Sequence, residues 1–276
     1  MRIGIVGLGL IGGSIAKSIR KNLDHEVYGM DKDPVTLAKA KMVGAIDKEL
    51  KKEDIKTLDL LILALYPKVV IPFLKDISDD ISVGSIVMDT CGIKTPICEE
   101  AFPIAKEKGF IFVGGHPMAG LEFSGFDVST TSLFEKASMI LVPPPDIPIG
   151  RLEGLKDLFL NIGFSHIEIS TYEKHDKIIA LSSQLAHIVS SAYIKSPQAP
   201  MHKGFSAGSF HDMTRVARLN EELWSQLFYG NKENLVSEID SLISRLAEYS
   251  DALKGEDKEK MYSLLSEGHK QRERLE

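Results

Sequence analysis

His116 is the residue whose type and position most directly suggest catalytic chemistry. It comes directly after the apolar run at residues 109–115, GFIFVGG, as a side chain leaving a buried strand would. An imidazole has an ordinary pKa of about 6.5, which suits a general base near neutral pH. On its own, however, the position is more typical of a loop histidine that caps backbone groups. The interpretation therefore depends on the polar residues that accompany it.

Three further side chains lie in two segments downstream of His116. Ser183 and His187 are four positions apart in a stretch of helical periodicity, which turns both toward one side of a helix. The alternative for this pair is an ordinary exposed helix face. Arg215 follows a glycine-containing run at residues 204–214, and its planar guanidinium can pair bidentately with a carboxylate. Arg215 therefore predicts a carboxylated substrate, with a surface ion pair as the alternative.

Local pattern also predicts how these two helical segments are built. Asp212 is expected to cap the short helix that carries Arg215. Trp224 and Asn231 come next and are expected to serve in packing and capping. The helix face opposite Ser183 is predicted to be apolar and to comprise Ile178, Leu181, Leu185, Ile188 and Ala192.

The first 33 residues supply the element that would hold a nucleotide beside these side chains. A short apolar run ends in Gly7, Gly9 and Gly12, and a helix-forming stretch follows at once, which gives the order strand, glycine turn, helix. In dinucleotide-binding folds such glycines allow the tight turn, the approach of the pyrophosphate and close packing of the helix. The free N–H groups at the start of the helix then face the phosphates. The alternative is an ordinary strand-turn-helix.

Asp31 supplies the second half of the same nucleotide-binding pattern. It ends the next predicted strand, residues 26–30, nineteen positions after Gly12, near the spacing at which a carboxylate meets the adenosine ribose. A free 2′-hydroxyl can donate to Asp31, whereas a 2′-phosphate would be repelled by it. The sequence therefore predicts NAD rather than NADP as the cofactor.

The order of apolar runs and helical stretches predicts the fold. Short apolar runs alternate with helical stretches as far as residue 170, which is the sequence form of a doubly wound α/β sheet. From residue 171 onward the apolar spacing is helical throughout. We therefore expect an N-terminal Rossmann-type, NAD-binding domain at residues 1–170. An all-helical C-terminal domain, for substrate binding and dimerisation, is expected at residues 171–276.

Composition and charge limit the class of protein. The chain has 276 residues, which suits two domains, and a formal net charge of −6. Basic residues form no long run, which argues against a nucleic acid or an anionic membrane as a partner. The two cysteines form no CxxC pair, so neither a zinc site nor a disulfide framework is expected. With no signal region and no apolar run of membrane-spanning length, we expect a cytoplasmic protein.

Two amphipathic stretches near the end of the chain bear on assembly. Residues 235–253 and 258–274 each place charges on one helix face and apolar residues on the other. Helices of this kind often pair between subunits, so we expect a homodimer. Closure of the apolar stripes within one chain is the alternative.

With these residues collected, the chain resembles the TyrA family of prephenate and arogenate dehydrogenases, and the likeness covers both predicted domains. The matching motifs are GLGLIGGS at residues 7–14, a D-x-x-x-x-K run at 89–94, HPMAGxExSG at 116–125, HD at 175–176, SQLAH at 183–187 and FxDxTRVA at 210–217. Several unlinked motifs in the right order are more specific than any one of them. The resemblance implies oxidative decarboxylation of prephenate by NAD to 4-hydroxyphenylpyruvate, a step of tyrosine biosynthesis.

The same resemblance implies a role for each site residue. His116 would accept the proton of the ring hydroxyl as the carbon that bears it gives hydride to the nicotinamide. Arg215 would bind a substrate carboxylate. Further substrate contacts would come from His187, Ser183, Glu122 and Ser124, the last two at the entrance. The cofactor-binding set comprises Gly7, Gly9, Leu10, Ile11, Gly12, Asp31, Cys91 and Gly92.

Gly92 departs from the pattern of the family. Many relatives carry a serine at this position, which hydrogen-bonds the catalytic histidine and approaches the nicotinamide. In this chain we expect Cys91, Thr90 or a water to orient His116, or else a less well fixed tautomer.

Three alternatives stand beside the prephenate dehydrogenase hypothesis. An arogenate dehydrogenase differs only in whether the substrate side chain ends in a keto or an amino acid. β-Hydroxyacid dehydrogenases and imine reductases share the plan of a Rossmann domain followed by helices. They typically place a catalytic lysine or a different polar set where this chain has Ser183 and His187. A non-catalytic NAD-binding protein predicts cofactor binding without turnover.

Overall fold

The computed structural model describes residues 1–275 and contains one eight-stranded sheet. Its strands are β1 (Arg2–Val6), β2 (Glu26–Met30), β3 (Lys48–Glu49), β4 (Leu60–Leu63), β5 (Ile86–Asp89), β6 (Ile111–Pro117), β7 (Ser138–Val142) and β8 (His166–Ile169). The strands lie in the order β3-β2-β1-β4-β5-β6-β7-β8. Neighbouring strands are parallel, except that β6 and β7 are antiparallel. The doubly wound α/β sheet predicted from the sequence is confirmed.

Helices follow most of the strands, and further helices form the region after β8. Those between strands are α1 (Leu10–Asn22), α2 (Pro34–Met42), α3 (Pro67–Ile77), α4 (Thr95–Lys108) and α5 (Ile149–Asn161). Those after β8 are α6 (Tyr172–Ile179), α7 (Ala186–Tyr193), α8 (Gly208–Thr214), α9 (Glu221–Gly230), α10 (Lys232–Lys254) and α11 (Lys258–Glu273). No strand follows β8 in the described part of the chain, which confirms the predicted helical C-terminal region.

Apolar layers cover both faces of the sheet. β4 and β5 are buried along their whole length, as strands of a parallel sheet with helices on both sides should be. On one face, Ile15 of α1 and Phe159 of α5 belong to the same buried cluster. On the other face, Val70 of α3 and Ala101 of α4 belong to a second cluster. The two layers fix the carboxyl ends of the strands, where ligands bind in open α/β sheets.

α6 and α7 form one helical segment that is interrupted by a π turn at Ala180–Leu185. The apolar face predicted for this segment is wrong in part, because Ile178 and Leu181 are 51% and 56% exposed. The segment buries a polar face instead, with His175, Asp176 and Gln184 turned inward. A π turn adds one residue to the helical repeat, so residues before and after it no longer share one face at 3.6-residue spacing. A regular 3.6-residue pattern therefore assigns the wrong side.

The helical C-terminal region begins directly after the sheet ends. β8 ends at Ile169 and α6 begins at Tyr172. The division into domains at residues 1–170 and 171–276 stays a prediction, and residue 276 lies outside the described residues. Across residues 1–275, none of the helices combines the length and the apolar character that crossing a bilayer requires.

Candidate active site

His116 is the next-to-last residue of β6, at the carboxyl edge of the parallel part of the sheet. The strand continues through Pro117 because β6 also pairs with the antiparallel strand β7. The ring is half-buried. Its Nδ1 lies 2.9 Å from Nε2 of His175, and the two ring centroids are 5.1 Å apart. A side chain from the helical region therefore holds His116 through its Nδ1 atom.

His175 is held in turn by Asp176, the next residue of α6. Nδ1 of His175 lies 2.7 Å from Oδ1 of Asp176, and both side chains are fully buried. The Asp176 carboxylate also accepts the backbone N–H of Lys94 at 2.8 Å and that of Thr95 at 2.7 Å. These N–H groups belong to the start of α4, where the helix dipole favours a negative charge. One carboxylate therefore caps a helix of the sheet region and orients an imidazole.

A buried ion pair lies behind the two histidines. Asp89, at the end of β5, pairs with Lys94, and both side chains are fully buried. The Asp89 carboxylate also accepts the backbone N–H of Cys91 at 2.9 Å and that of Gly115 at 3.2 Å. Asp89 thereby ties the loop after β5 to the residue that precedes His116, which fixes the backbone on both sides of the site.

Burial shifts the pKa values of this group. Burial, together with the proximity of His175 and Lys94, lowers the pKa of His116 well below its ordinary value. Burial also lowers the pKa of His175, although the hydrogen bond to Asp176 opposes the change. For Asp176, burial raises the pKa, but the hydrogen bonds from His175 and Thr95 outweigh it, so the pKa lies below its ordinary value. At neutral pH both rings are neutral and Asp176 is ionised.

Gly92 lies on the Nε2 side of His116. A Cβ atom built on Gly92 would be 3.6 Å from Nε2 of His116 and 3.3 Å from Cδ2 of Leu227 on α9. Of the groups expected to orient His116, Cys91 is engaged elsewhere, since its Sγ donates to the carbonyl oxygen of Leu65 at 3.3 Å. Burial also raises the pKa of the Cys91 thiol well above its ordinary value, so it remains protonated. The residue that orients His116 is His175.

The glycine turn has the geometry that the sequence predicts. Gly7 has a φ of +87°, and a Cβ atom there would lie 2.3 Å from the carbonyl oxygen of Ala64. A Cβ atom on Gly12 would lie 1.9 Å from the Gly7 carbonyl oxygen, whereas Gly9 faces open space. The backbone can therefore be approached at Gly9. Beyond it, α1 begins at Leu10, and the N–H groups of Leu10, Ile11 and Gly12 belong to its first turn.

Asp31 lies immediately beside this turn. Its Oδ2 accepts the backbone N–H of Leu8 at 2.7 Å, and its Oδ1 accepts that of Asp33 at 2.9 Å. The side chain is half-buried. Two backbone N–H groups thus fix the carboxylate at the end of β2, and each oxygen keeps acceptor capacity for a ligand.

The helical side of the site is arranged around His187. Nδ1 of His187 lies 3.0 Å from the carbonyl oxygen of Val216, and its ring contacts Trp224, with centroids 3.9 Å apart. Burial lowers the pKa of His187, the Val216 carbonyl opposes the change, and the charge of Arg215 lowers it further. Arg215 is exposed and begins a short 3₁₀ turn. Ser183 lies in the π turn and is half-buried. The structure therefore brings Arg215 and His187 together.

α9 connects the His116 side to the Arg215 side. Leu227 of α9 packs beside Gly92, which is next to His116, and Trp224 of the same helix contacts His187. Because these two residues are three positions apart, they lie on one face of α9. The glycine turn and Asp31 lie at the ends of β1 and β2, on the same carboxyl edge as His116.

A second contact links the loop after His116 to the helical side. The Arg218 guanidinium lies over the ring of Phe123, 5.3 Å from its centroid. Phe123 stands between Glu122 and Ser124, and both of these side chains are exposed. The loop that carries the predicted entrance residues therefore lies against the segment that carries Arg215.

Two polar predictions in the helical region need correction. Asp212 does not cap the short 3₁₀ turn that carries Arg215, because the N-cap of that turn is Thr214 and Asp212 lies inside α8. Asn231 stands at the N-cap of α10, but its side chain accepts no backbone N–H of that helix. It donates instead to the carbonyl of Asp176 and to Oε1 of Gln184, both at 2.8 Å. These contacts between distant segments have no signature in local sequence spacing.

Three features lie at one edge of the sheet: a glycine turn at a helix start, a carboxylate placed to meet a ribose, and a half-buried imidazole. Together they are typical of a nucleotide-dependent oxidoreductase. Family models agree with this class. The model of the prephenate dehydrogenase nucleotide-binding domain matches residues 15–168, and that of the prephenate dehydrogenase dimerization domain matches residues 171–267. The chain belongs to the prephenate dehydrogenase family, and the resemblance seen in its motifs is confirmed.

Individual relatives agree with the family assignment. The prephenate dehydrogenase of Lactococcus lactis is 30% identical over 283 residues, which cover 100% of this chain and 77% of that protein. The prephenate dehydrogenase of Aquifex aeolicus in complex with hydroxyphenyl propionate and NAD+ is 27% identical, with a TM-score of 0.84 over 100% of this chain and 98% of that chain. Synechocystis arogenate dehydrogenase is 26% identical, with a TM-score of 0.84 over the full length of both chains.

Proposed function

We propose that the protein is an NAD-dependent prephenate dehydrogenase of tyrosine biosynthesis. It would convert prephenate by oxidative decarboxylation to 4-hydroxyphenylpyruvate. The observation that carries this proposal is the neutral imidazole of His116, held through Nδ1 at the carboxyl edge of a nucleotide-type sheet. Such a group can act as a general base beside a cofactor.

The chain's own residues fit NAD. Gly9 leaves the backbone open where a pyrophosphate would approach, and the first N–H groups of α1, at Leu10 and Ile11, would face its phosphates. Asp31 holds a fixed carboxylate that suits a ribose hydroxyl and opposes a 2′-phosphate. We assign Cys91 and Gly92 to the cofactor site because they follow β5 at the same edge. When bound, NAD supplies the hydride acceptor.

The remaining chemistry belongs to the protein and the substrate. Nε2 of His116 would accept the proton of the ring hydroxyl as the carbon that bears it is oxidised. Departure of the ring carboxylate as carbon dioxide then makes the ring aromatic, which drives the reaction forward. Arg215 would bind a substrate carboxylate, with His187 and Ser183 beside it. Glu122 and Ser124 would line the entrance.

Arogenate is the alternative substrate, and the likeness to Synechocystis arogenate dehydrogenase favours it. The decisive experiment is a four-way assay of prephenate and arogenate, each with NAD and with NADP, in which carbon dioxide release is also measured. We expect prephenate with NAD to give the highest kcat/KM. A preference for arogenate would identify arogenate as the substrate in place of prephenate. A preference for NADP would overturn the role of Asp31. Cofactor binding without turnover would show that the protein is not an enzyme.

We also propose that the protein is a cytoplasmic homodimer. In each chain, the boundary between the two domains expected from the sequence would lie between residues 170 and 171. Support for the dimer comes from the match to a dimerization domain and from apolar side chains that a single chain leaves exposed. These include Ile178, Leu181, Ile243, Leu246 and Leu265. Light scattering coupled to size exclusion should give twice the mass of 30.5 kDa. Cell fractionation tests the location.

A further inference from the structure

We propose that His175 is a positioning residue that fixes the tautomer of His116, with the proton on Nδ1 and the lone pair on Nε2. The inference deepens the proposed function and rests on it for its catalytic meaning. It follows from a chain of three groups, Asp176, His175 and His116, in which each hydrogen bond restricts the next.

The first link is the Asp176 carboxylate, which can only accept hydrogen bonds while it is ionised. It accepts two backbone N–H groups at the start of α4, from Lys94 and Thr95, one on each oxygen. Both bonds favour the ionised form. The 2.7 Å contact between Oδ1 and Nδ1 of His175 therefore places a proton on that nitrogen of His175.

The second link transmits this restriction to His116. A neutral imidazole that is protonated on Nδ1 has its lone pair on Nε2. Nε2 of His175 is thus an acceptor, and the atom 2.9 Å away, Nδ1 of His116, must be the donor. The lone pair of His116 is then on Nε2, on the side where Gly92 lies. In this tautomer Nε2 of His116 can accept a proton from a substrate. In the other tautomer Nε2 already carries a proton and cannot accept one.

Nε2 of His175 is an acceptor only while the ring is neutral, because a cationic ring would donate from both nitrogens. His175 is buried, and burial disfavours its charged form. Lys94 opposes a second positive charge here, whereas Asp176 and Asp89 favour it. Lys94 and Asp89 are paired with each other, so their effects on the ring largely cancel. His116 is a further titratable group that contacts the ring, at 2.9 Å.

Two substitutions at position 175 separate positioning from a structural role. An asparagine amide occupies the place of Nδ1, so His175→Asn can still donate to Asp176 but is too short to reach His116. A glutamine amide occupies the place of Nε2, so His175→Gln can offer its Oε1 to His116 while it loses the donor to Asp176. If His175 positions His116, the glutamine variant should be the more active one. If His175 serves only as a hydrogen-bond partner of Asp176, the asparagine variant should be the more active one.

Steady-state kinetics should show this contrast in kcat. We expect His175→Asn to lower kcat by about a hundredfold, at the lower end of what a general base contributes, with little change in KM. The kcat of His175→Gln should be at least about tenfold higher than that of His175→Asn. An asparagine variant as active as the glutamine variant, or more active, would overturn the proposal. Thermal melting and NAD binding of both variants verify that each remains folded.

Nitrogen NMR of the histidine rings gives a readout that does not depend on turnover. The chain has eight histidines, and the signals of His116 are identified by their loss in His116→Asn. At about pH 8, above the lowered pKa of His116, the wild-type His116 ring should show Nδ1 protonated and Nε2 unprotonated. His175→Asn should give a mixture of tautomers. A wild-type His116 protonated on Nε2 would overturn the inference, whereas the expected tautomer without any turnover would contradict only the proposed function.

Discussion

The two sides of the candidate site are built differently. On the His116 side, the imidazole, His175, Asp176 and the pair of Asp89 with Lys94 form a connected and largely buried set of hydrogen bonds. On the substrate side, Arg215, Glu122 and Ser124 are exposed. The orientation of the His116 ring is therefore fixed before the substrate arrives. Arg215, in contrast, would gain the substrate carboxylate as its partner only on binding.

This difference follows from what each side must do. A proton acceptor works best when its orientation and protonation are fixed in advance, because no reorganisation is then required during the reaction. A guanidinium that binds a dianion is more stable if it stays exposed and hydrated until the substrate arrives. Burial of the same guanidinium without a partner would cost folding free energy. We expect substitutions on the His116 side to change kcat or stability and those on the substrate side to change KM.

Removal of the base should have the largest effect. His116→Asn keeps an amide near the position of Nδ1 but has no basic nitrogen, so kcat should fall by about a hundredfold or more while substrate binding survives. Steady-state kinetics and substrate titration measure the two quantities. His166→Asn, an exposed histidine on β8, is the matched control and should leave both unchanged. Near-normal turnover in His116→Asn would remove His116 from the mechanism.

Breaking the buried ion pair should test the stability of the same side. Lys94→Met leaves the Asp89 carboxylate buried without its cation, which costs about 3–5 kcal/mol of the free energy of unfolding. Lys75→Met, which breaks the exposed pair with Glu100, should cost at most about 1 kcal/mol. Chemical denaturation measures both. Equal costs for the two variants would contradict the expected penalty for leaving the Asp89 carboxylate buried and unpaired.

On the substrate side, Arg215→Ala should raise KM rather than lower kcat. A hydrogen bond to a charged group contributes about 1.5–3 kcal/mol, so we expect KM for the substrate to rise about tenfold to a hundredfold. Arg2→Ala removes an exposed arginine at the opposite edge of the sheet and serves as the control. An unchanged KM in Arg215→Ala would exclude Arg215 from substrate binding.

The pH profile should reflect the lowered pKa of His116. The base must be neutral, so kcat/KM rises with pH through the pKa of His116 and is constant above it. An unshifted imidazole would lose about tenfold of its activity at one pH unit below its ordinary pKa of about 6.5. Because the pKa of His116 is lowered, the loss at that pH should be smaller. A full tenfold loss would contradict the burial argument.

Gly92→Ser should have the smallest effect. The added Cβ atom fits with a small movement of Leu227, and the hydroxyl would lie near Nε2 of His116. We expect an active enzyme with turnover equal to or above that of the wild type, by less than about tenfold, as one neutral hydrogen bond allows. Gly92→Ala supplies the Cβ atom without the hydroxyl. A large loss in Gly92→Ser alone would show that the site is arranged differently.

Patterns confined to one segment were sufficient to predict the sheet and the nucleotide turn. Gly7, Gly12 and Asp31 could be placed because their geometry depends on a strand, a turn and a helix that follow one another. His116 could be placed because parallel strands bring their carboxyl ends to one edge. These elements obey rules that the local sequence expresses directly.

Contacts between distant segments could not be predicted in the same way. His175 lies on α6 and Asn231 at the N-cap of α10, and their partners are 59 and 55 positions away in the chain. Helical spacing assigned Ile178 to the packed face because a π turn leaves no mark in a 3.6-residue pattern. The choice of which helix face is buried depends on the surface opposite it, which only the folded structure supplies.

The cap that Asp176 places on α4 is also the point at which the helical region is fastened to the sheet region. The carboxylate joins the first helix after the sheet to the sheet region, and Asn231 fastens α10 to the same point. A rotation of one half against the other would keep this junction as its pivot. The cation–π contact between Arg218 and Phe123 is a second tie between the two regions, and unlike the buried junction it is made by exposed side chains.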